Sequence, residues 1–244
     1  VEAFKNANAD CIIAIGGGSA MDTAKAIGII IKNPEFFDVV SLEGVAPTKN
    51  KCVPIIAVPT TAGTAAEVTI NYVITDTKKN RKMVCVDVHD IPVVAVVDPD
   101  MMSSMPKGLT AATGMDALTH AIEAYIGNST TKKTRAYALK ATKLIFENIY
   151  KVYEDGNDLE ARSNMLDAAY YAGHAFTVSY VGYVHAIAHS LGGKYNIAHG
   201  LANATLLDVV LKQYGESVYK KLYEMALYCG ICLSLIHISE PTRH

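Results

Sequence analysis

Asp10-Cys11-Ile12-Ile13-Ala14-Ile15 is a short apolar run rich in isoleucine that stops against three glycines, Gly16-Gly17-Gly18, and then passes into Ser19-Ala20-Met21-Asp22-Thr23-Ala24-Lys25. No other stretch of the chain restricts the fold as much. A run of this length without polar alternation reads as a strand buried on both faces of a parallel sheet, and parallel neighbours require crossover helices. The glycines open the next helix with no side chains in the way, so backbone N–H groups and the positive end of the helix dipole can meet an anion. The spacing is neither Gly-x-Gly-x-x-Gly nor the Gly-Lys-Ser/Thr of a P-loop. By itself the motif therefore indicates either a phosphate cradle or a tight turn that needs positive φ. Asp22 and Lys25 read as a solvated helix pair, or, for Asp22, as a brace reaching back to the glycine loop.

The alternation of strand and helix continues for about a hundred residues. The first helix is expected from Ala20 to about Ile31, and a polar loop from Asn33 to Lys51. Val53 to Val58 reads as a second buried strand, closed by Pro59. Thr60 to Glu67 then supplies small residues and hydroxyls at a strand's carboxyl end, the edge where ligands sit in an open α/β sheet, although turn and capping chemistry uses the same residues. Thr69 to Asp76 and Lys82 to Val86 read as a hairpin around Lys78-Lys79-Asn80, and Val93 to Val97 as one more strand. From Leu109 the pattern is helical throughout: Leu109 to Tyr125, Lys132 to Tyr153, Leu159 to about Ala175, Tyr183 to Ser190, Gly200 to Gln213 and Ser217 to Tyr228. The change near Pro106 predicts two domains, residues 1–106 and 107–231, with a cleft between them.

Both ends read as cut. The chain starts at Val1, already inside a helical pattern, and residues 232–244 read as translated adapter sequence rather than evolved protein, so His237 and His244 are set aside. Composition narrows the classes of function. Half of the 244 residues are hydrophobic, enough for a sizeable core, and the formal charge of −2 with no basic stripe argues against a nucleic-acid partner. Five cysteines, mostly in apolar runs, suit reduced thiols in a cytoplasmic protein better than a disulfide frame, and Cys229-x-x-Cys232 has no second pair to complete a metal site. No apolar run reaches the roughly 18 residues of a membrane helix.

The chemistry is concentrated in the helical half. Asp116 and His120 lie four residues apart in Gly114-Met115-Asp116-Ala117-Leu118-Thr119-His120, which puts both on one face of a helix. His185 and His189 repeat that spacing, and His199 follows a glycine-bearing loop. Any one of these residues alone reads as a cap or a satisfied core polar group. As a set in an apolar setting they offer one oxygen and three nitrogens, and one divalent metal would satisfy them all.

Taken in order, Gly16-Gly17-Gly18-Ser19-x-x-Asp22-x-x-Lys25, Pro59-Thr60-Thr61-Ala62-Gly63-Thr64, Gly114-x-Asp116-Ala117-x-x-His120, His185-x-x-x-His189-x-Leu191-Gly192 and His199-Gly200 resemble the iron-containing alcohol dehydrogenase family over about residues 1–231. The resemblance implies an α/β, Rossmann-like dinucleotide-binding domain, incomplete here, followed by an all-α metal-binding domain, together a dehydroquinate synthase-like fold. It implies Asp116, His120, His185 and His199 as ligands of Fe²⁺, with Zn²⁺ as the alternative, and His189 near the nicotinamide as the catalytic proton carrier, which needs a pKa near the working pH. It implies NAD as cofactor, with Gly17, Gly18, Ser19, Asp22, Thr60 and Thr61 around the pyrophosphate and Asn71 and Lys82 on the hairpin. His89 and His174 match no ligand position and read as structural. The expected reaction is hydride transfer between NAD(H) and a short-chain alcohol or aldehyde, with lactaldehyde and 1,2-propanediol favoured and butanol, 1,3-propanediol or glycerol as other substrates. A zinc polyol dehydrogenase, a dehydroquinate synthase relative and a truncated, inactive fragment are the rival readings, and a homodimer or higher homo-oligomer is expected of the full-length protein.

Overall fold

A computed structural model describes residues 1–231, so the expectation for residues 232–244, and with it Cys232, lies outside the described residues. A short helix α1 (Glu2–Asn6) leads into β1 (Ile12–Gly16), helix α2 (Gly18–Lys32), β2 (Ile55–Pro59), a hairpin of β3 (Asn71–Asp76) and β4 (Arg81–Val86), and β5 (Val94–Ala95). The strands β1, β2 and β5 form a parallel sheet in that order, with Ile12 opposite Ile55, Gly16 opposite Pro59 and Ile56 opposite Val94. The carboxyl ends of β1 and β2 therefore finish level, and the glycine turn and the Thr60–Thr64 loop emerge side by side.

Three details differ from the sequence-based expectation. Strand β1 is not buried on both faces: Ala14 points into the core with Met21 and Ala24 of α2, while Ile13 and Ile15 are 61% and 57% exposed. Helix α2 covers one face of the sheet, and among the described residues nothing covers the other. The expected loop from Asn33 to Lys51 contains two 3₁₀ turns, Pro34–Phe36 and Val39–Leu42. The last strand is two residues long because β2 is its one partner, although Val93 and Val96 still donate to Ile55 and Ala57.

The helical part comprises α3 (Lys107–Ile126), α4 (Lys132–Glu154), α5 (Leu159–Ser179), α6 (Tyr183–Tyr195), α7 (His199–Tyr214) and α8 (Glu216–Tyr228). Local chemistry sets several ends. Thr131 and Thr134 form a capping box at the start of α4, and the Asp158 side chain accepts from Ala161 N–H at the start of α5. Asn196 ends α6 in the left-handed region and Gly215 separates α7 from α8. Helix α3 is buried without a break from Asp116 to Ile126, because α4, α5, α7 and α8 pack around it. A helix enclosed on all sides has no polar face to offer, so each charged group on it needs a partner from another helix.

Helix α6 runs on through Gly192-Gly193 rather than stopping near Ser190. Those glycines mark close approach, not a stop: a Cβ on Gly193 would lie 2.9 Å from Arg81 Cα, so their bareness lets α6 lie against β4. Gly173 plays the same part between α5 and the loop after β2, where a Cβ would sit 2.4 Å from Ala65 Cβ and 2.8 Å from Val68 Cγ2. Gly173→Ala is expected to destabilise the protein by about 1–3 kcal/mol through overpacking, and to lower Tm by about 2–4 °C for each kcal/mol. Ala65 itself has φ +53°, so adding Ala65→Gly relieves the closer of the two clashes and the backbone strain, leaves that with Val68 Cγ2, and is expected to recover part of the lost Tm. Thermal melts of the single and double variants check this, and an unchanged Tm in Gly173→Ala would show that α5 and the loop are not so closely packed.

Candidate metal and dinucleotide site

Helix periodicity puts Asp116, His120 and Glu123 on one face of α3, and the same rule puts His185 and His189 on one face of α6. The two faces meet, and His199 joins them from the first residue of α7. Ligand atoms of Asp116, His120 and His185 all lie within 4.8 Å of one another. Asp116 Oδ1 is 3.5 Å from His185 Nε2 and 3.4 Å from His199 Nε2. His199 stands at the edge of the group, its ring stacked on that of His189 with centroids 4.9 Å apart. His189 approaches the other rings but makes no direct contact with Asp116, so the geometry distinguishes the two histidines of α6.

The electrostatics of the group follow from burial and from one another. Burial alone would push the Asp116 carboxyl up, but the charge of His120, the hydrogen bond from His185 and the charge of His199 together hold it well below the usual carboxylate range. Burial pulls His120 down to about 3. It pulls on His185 too, but hydrogen bonds to Asp116 and Glu123 overcome it and raise that ring to about 9. Burial, reinforced by the neighbouring His199, His185 and Lys82, brings His189 down to about 3. That differs from the pKa near working pH expected of a proton carrier: at neutral pH the ring is an uncharged acceptor.

A divalent cation fits this donor set. The carboxylate and rings offer oxygen and nitrogen ligands in the number and type that suit Fe²⁺ or Zn²⁺. Buried His120 Nδ1, His199 Nδ1 and Asn203 Oδ1 have no hydrogen-bond partner, which is costly in a closed interior. Among the described residues no Lys or Arg stands within ion-pair distance of Asp116 to neutralise it.

The expected dinucleotide residues lie in the same cleft, a cavity of about 650 Å³ that reaches from the glycine turn to the histidines. Gly17, Gly18, Ser19 and Asp22 line it from α2, Thr61 from the loop after β2, and Asn71 and Lys82 from the hairpin. Helix α2 begins at Gly18 with no side-chain cap, so the N–H groups of its first turn face the cleft without a protein partner of that kind. A Cβ on Gly18 would lie 2.9 Å from Thr64 Cγ2, so the glycine is also needed for the two loops to approach. Thr60 is the exception: it does not line the cavity, and its N–H donates to Gly16 O, holding the two loop starts together.

Asp22 and Lys25 are not a solvated pair. Asp22 Oδ2 accepts from Val73 N–H at 3.1 Å, reaching forward to the hairpin rather than back to the loop. Lys25 is fully buried, donates to the carbonyls of Thr69 and Asn71, and lies 3.9 Å from Asp90. Three further residues reach the site without having been singled out in the sequence. Glu123 Oε2 lies 2.6 Å from His185 Nδ1. Asn203 Nδ2 donates to Asp116 Oδ1 at 2.7 Å and lies 3.3 Å from the Nε2 atoms of His185 and His199. Phe176 stacks on His120 with centroids 4.2 Å apart. Signals existed for two of them: Glu123 is seven residues after Asp116, and Asn203 four after His199, each on the ligand face of its helix.

Burial raises Asp22 from its ordinary 3.8 to about 6, against the opposing hydrogen bond from Val73 and the charges of Lys25 and Lys82. A carboxyl whose folded pKa exceeds its unfolded one favours folding when protonated, so its ionisation weakens the fold progressively from about pH 4 to pH 6. Asp22→Asn keeps an oxygen for Val73 N–H and cannot ionise. Its melting temperature relative to the parent is expected to rise across that window and to level off above it; a constant difference from pH 4 to pH 7 would refute the assignment.

Known proteins match the chain in sequence and in structure. Residues 1–99 match the description of iron-containing alcohol dehydrogenases, and residues 110–241 that of the C-terminal part of the Fe-containing alcohol dehydrogenase family. Lactaldehyde reductase of Escherichia coli (strain K12) is 51% identical over 237 residues, covering 97% of this chain and 62% of the relative. The NAD-dependent methanol dehydrogenase of Bacillus methanolicus is 46% identical over 204 residues, 84% of this chain and 53% of that one. The structure of an alcohol dehydrogenase from Oenococcus oeni superimposes with a TM-score of 0.84 at 36% identity, covering 98% of this chain and 69% of its own. The chain thus spans about three-fifths of the length of these curated relatives.

Proposed function

The chain belongs to the iron-containing alcohol dehydrogenase family, and from that premise we propose that the protein transfers a hydride between NAD(H) and a short-chain alcohol or aldehyde, lactaldehyde and 1,2-propanediol being the favoured pair. The observation that carries this reading is the convergence of one carboxylate and two imidazoles, with the His199 ring at their edge, in the same cleft as an uncapped helix start behind a glycine turn. The names of the relatives support it: one is a lactaldehyde reductase and another an NAD-dependent methanol dehydrogenase. In this reading residues 1–106 form a partial dinucleotide-binding domain and residues 107–231 a partial helical metal domain. No helix among the described residues is long and apolar enough to cross a membrane.

Asp116, His120, His185 and His199 would hold the cation, Fe²⁺ or alternatively Zn²⁺. When bound, it supplies Lewis acidity towards the substrate oxygen. The chain's own residues do the rest. The N–H groups of Gly17, Gly18 and Ser19, backed by the dipole of α2, receive the pyrophosphate, and Thr61, Asn71 and Lys82 position the remainder of the dinucleotide from the two loops facing it. Leu109, Phe176 and Val181 are apolar residues of the cleft lining, and of these Phe176 is buried and stacked on His120. Bound NAD⁺ would supply the hydride acceptor, and in oxidation a ring nitrogen of His189 would take the hydroxyl proton, so that alcohol and NAD⁺ balance against aldehyde, NADH and a proton. Reduction runs the same transfers backwards. Burial displaces the His189 pKa to about 3, so at neutral pH the ring meets the hydroxyl as an uncharged acceptor.

Metal analysis of the purified protein with a panel of short-chain alcohols and NAD⁺ tests the proposal. His199→Ala is expected to remove metal and turnover together, by more than the roughly 10–100-fold that loss of an outer partner causes. An active, metal-replete variant would overturn the assignment of His199, and metal-loaded parent protein that oxidises none of the alcohols would overturn the function.

A further inference from the structure

We propose that Glu123 is a positioning residue of the metal site, acting through His185: its carboxylate holds the ring proton on Nδ1, turns Nε2 to the metal, and anchors the start of α6 with its second oxygen. The inference rests on the metal reading above. Glu123 is enclosed in the interior, its side chain 1% exposed, and it comes from α3, the helix that carries Asp116 and His120. Its Oε2 is 2.6 Å from His185 Nδ1, and its Oε1 accepts from the backbone N–H of Val184 at 2.8 Å. A carboxylate oxygen accepts, so Nδ1 carries a proton, and Nε2, which faces Asp116 Oδ1 at 3.5 Å, is the ring nitrogen left to meet a cation.

The second oxygen explains a feature of α6. Gly182, at its N-cap, contributes no side-chain cap, and a Cβ there would lie 2.8 Å from Glu123 Oε1. The glycine makes room for a carboxylate from a different helix to do the capping, one residue before the ligand it orients. Ring orientation and helix position are thereby set by one group.

Glutamine is the diagnostic replacement because it keeps shape and loses one acceptor. Two donors, Val184 N–H and His185 Nδ1–H, then face one oxygen and one NH₂ group. If the NH₂ faces the ring, Nδ1 must accept and the proton moves to Nε2, closing that nitrogen to a cation; if it faces Val184, two N–H groups are opposed. The test uses the full 244-residue chain and Zn²⁺ alone as probe, with affinity read by competition against a chromophoric chelator and the stability of the metal-free form by thermal melting. Glu123→Gln is expected to weaken Zn²⁺ binding about 10–100-fold, while the metal-free Tm falls by only about 2–4 °C, the shift expected for one lost hydrogen bond. Zn²⁺ affinity equal to that of the parent overturns the proposal. Nitrogen-15 NMR of the zinc-loaded parent supplies a readout that does not depend on the variant folding: a His185 ring protonated at Nδ1 and coordinating through Nε2 supports the proposal, and the opposite tautomer overturns it. Failure of the parent to bind Zn²⁺ or Fe²⁺ would instead overturn the metal reading itself.

Discussion

A carboxylate inside an apolar helical bundle must be compensated or it will not remain charged, and Asp116 is such a carboxylate, 3% exposed on a helix enclosed by four others. Its compensation comes from rings on α3 and α6, from the first residue of α7 and from the amide of Asn203 one turn further on. None of these elements is adjacent to all the others along the chain, so the charge is stable only when three helices are in place together. Packing is arranged accordingly. A Cβ on Gly200, beside His199, would stand 2.1 Å from Ala112 O, so α7 lies against α3 as closely as backbone allows. Small residues are spent where ligands must be brought in.

The nucleotide side of the cleft has its own buried charge and solves the problem differently. Lys25 is held by carbonyl oxygens of Thr69 and Asn71 and by Asp90, and Asp22 on the same helix accepts from Val73. Helix α2 is thus tied to the hairpin by polar contacts as well as by an apolar seam in which Ala26, Ile29 and Ile30 pack with Tyr72 and Cys85. The hairpin in turn lies against α6 through Arg81 and Gly193, which brings Lys82 towards His189 and His199. A continuous chain of contacts runs from the glycine turn to the ligand rings. The glycine turn and the histidine cluster are therefore joined by contiguous packing even though they come from different halves of the chain.

What was legible in the sequence was what depends on local geometry. Spacings of four residues identified Asp116 with His120 and His185 with His189, because a helix puts such pairs on one face whatever surrounds it. The strand before the glycines and the hairpin around Asn80 were legible for the same reason. Residues whose partners are distant in sequence were not: nothing near Lys25 announces a burial that depends on residues 44 and more positions away, and nothing near Glu123 announces His185. Apolar content misled where coverage decides exposure, since Ile13 and Ile15 have the composition of a buried strand and lie on an uncovered face. Glycine misled at Gly192-Gly193, where the signal for a helix end and the signal for close packing are the same residue.

The pair on α6 shows what the fold adds to such a motif. His185 and His189 are chemically identical and one turn apart, and nothing in their spacing assigns them different work. The fold separates them through the carboxylates of α3: burial lowers both rings, but Asp116 and Glu123 reach His185 and raise it to about 9, whereas at His189 burial, reinforced by His199, His185 and Lys82, prevails and the ring falls to about 3. The difference arises from which side of α6 packs against α3, not from the residues themselves. A ring held by two anions is pinned in orientation and suited to permanent coordination. A buried ring that stays neutral keeps one nitrogen free to accept a proton.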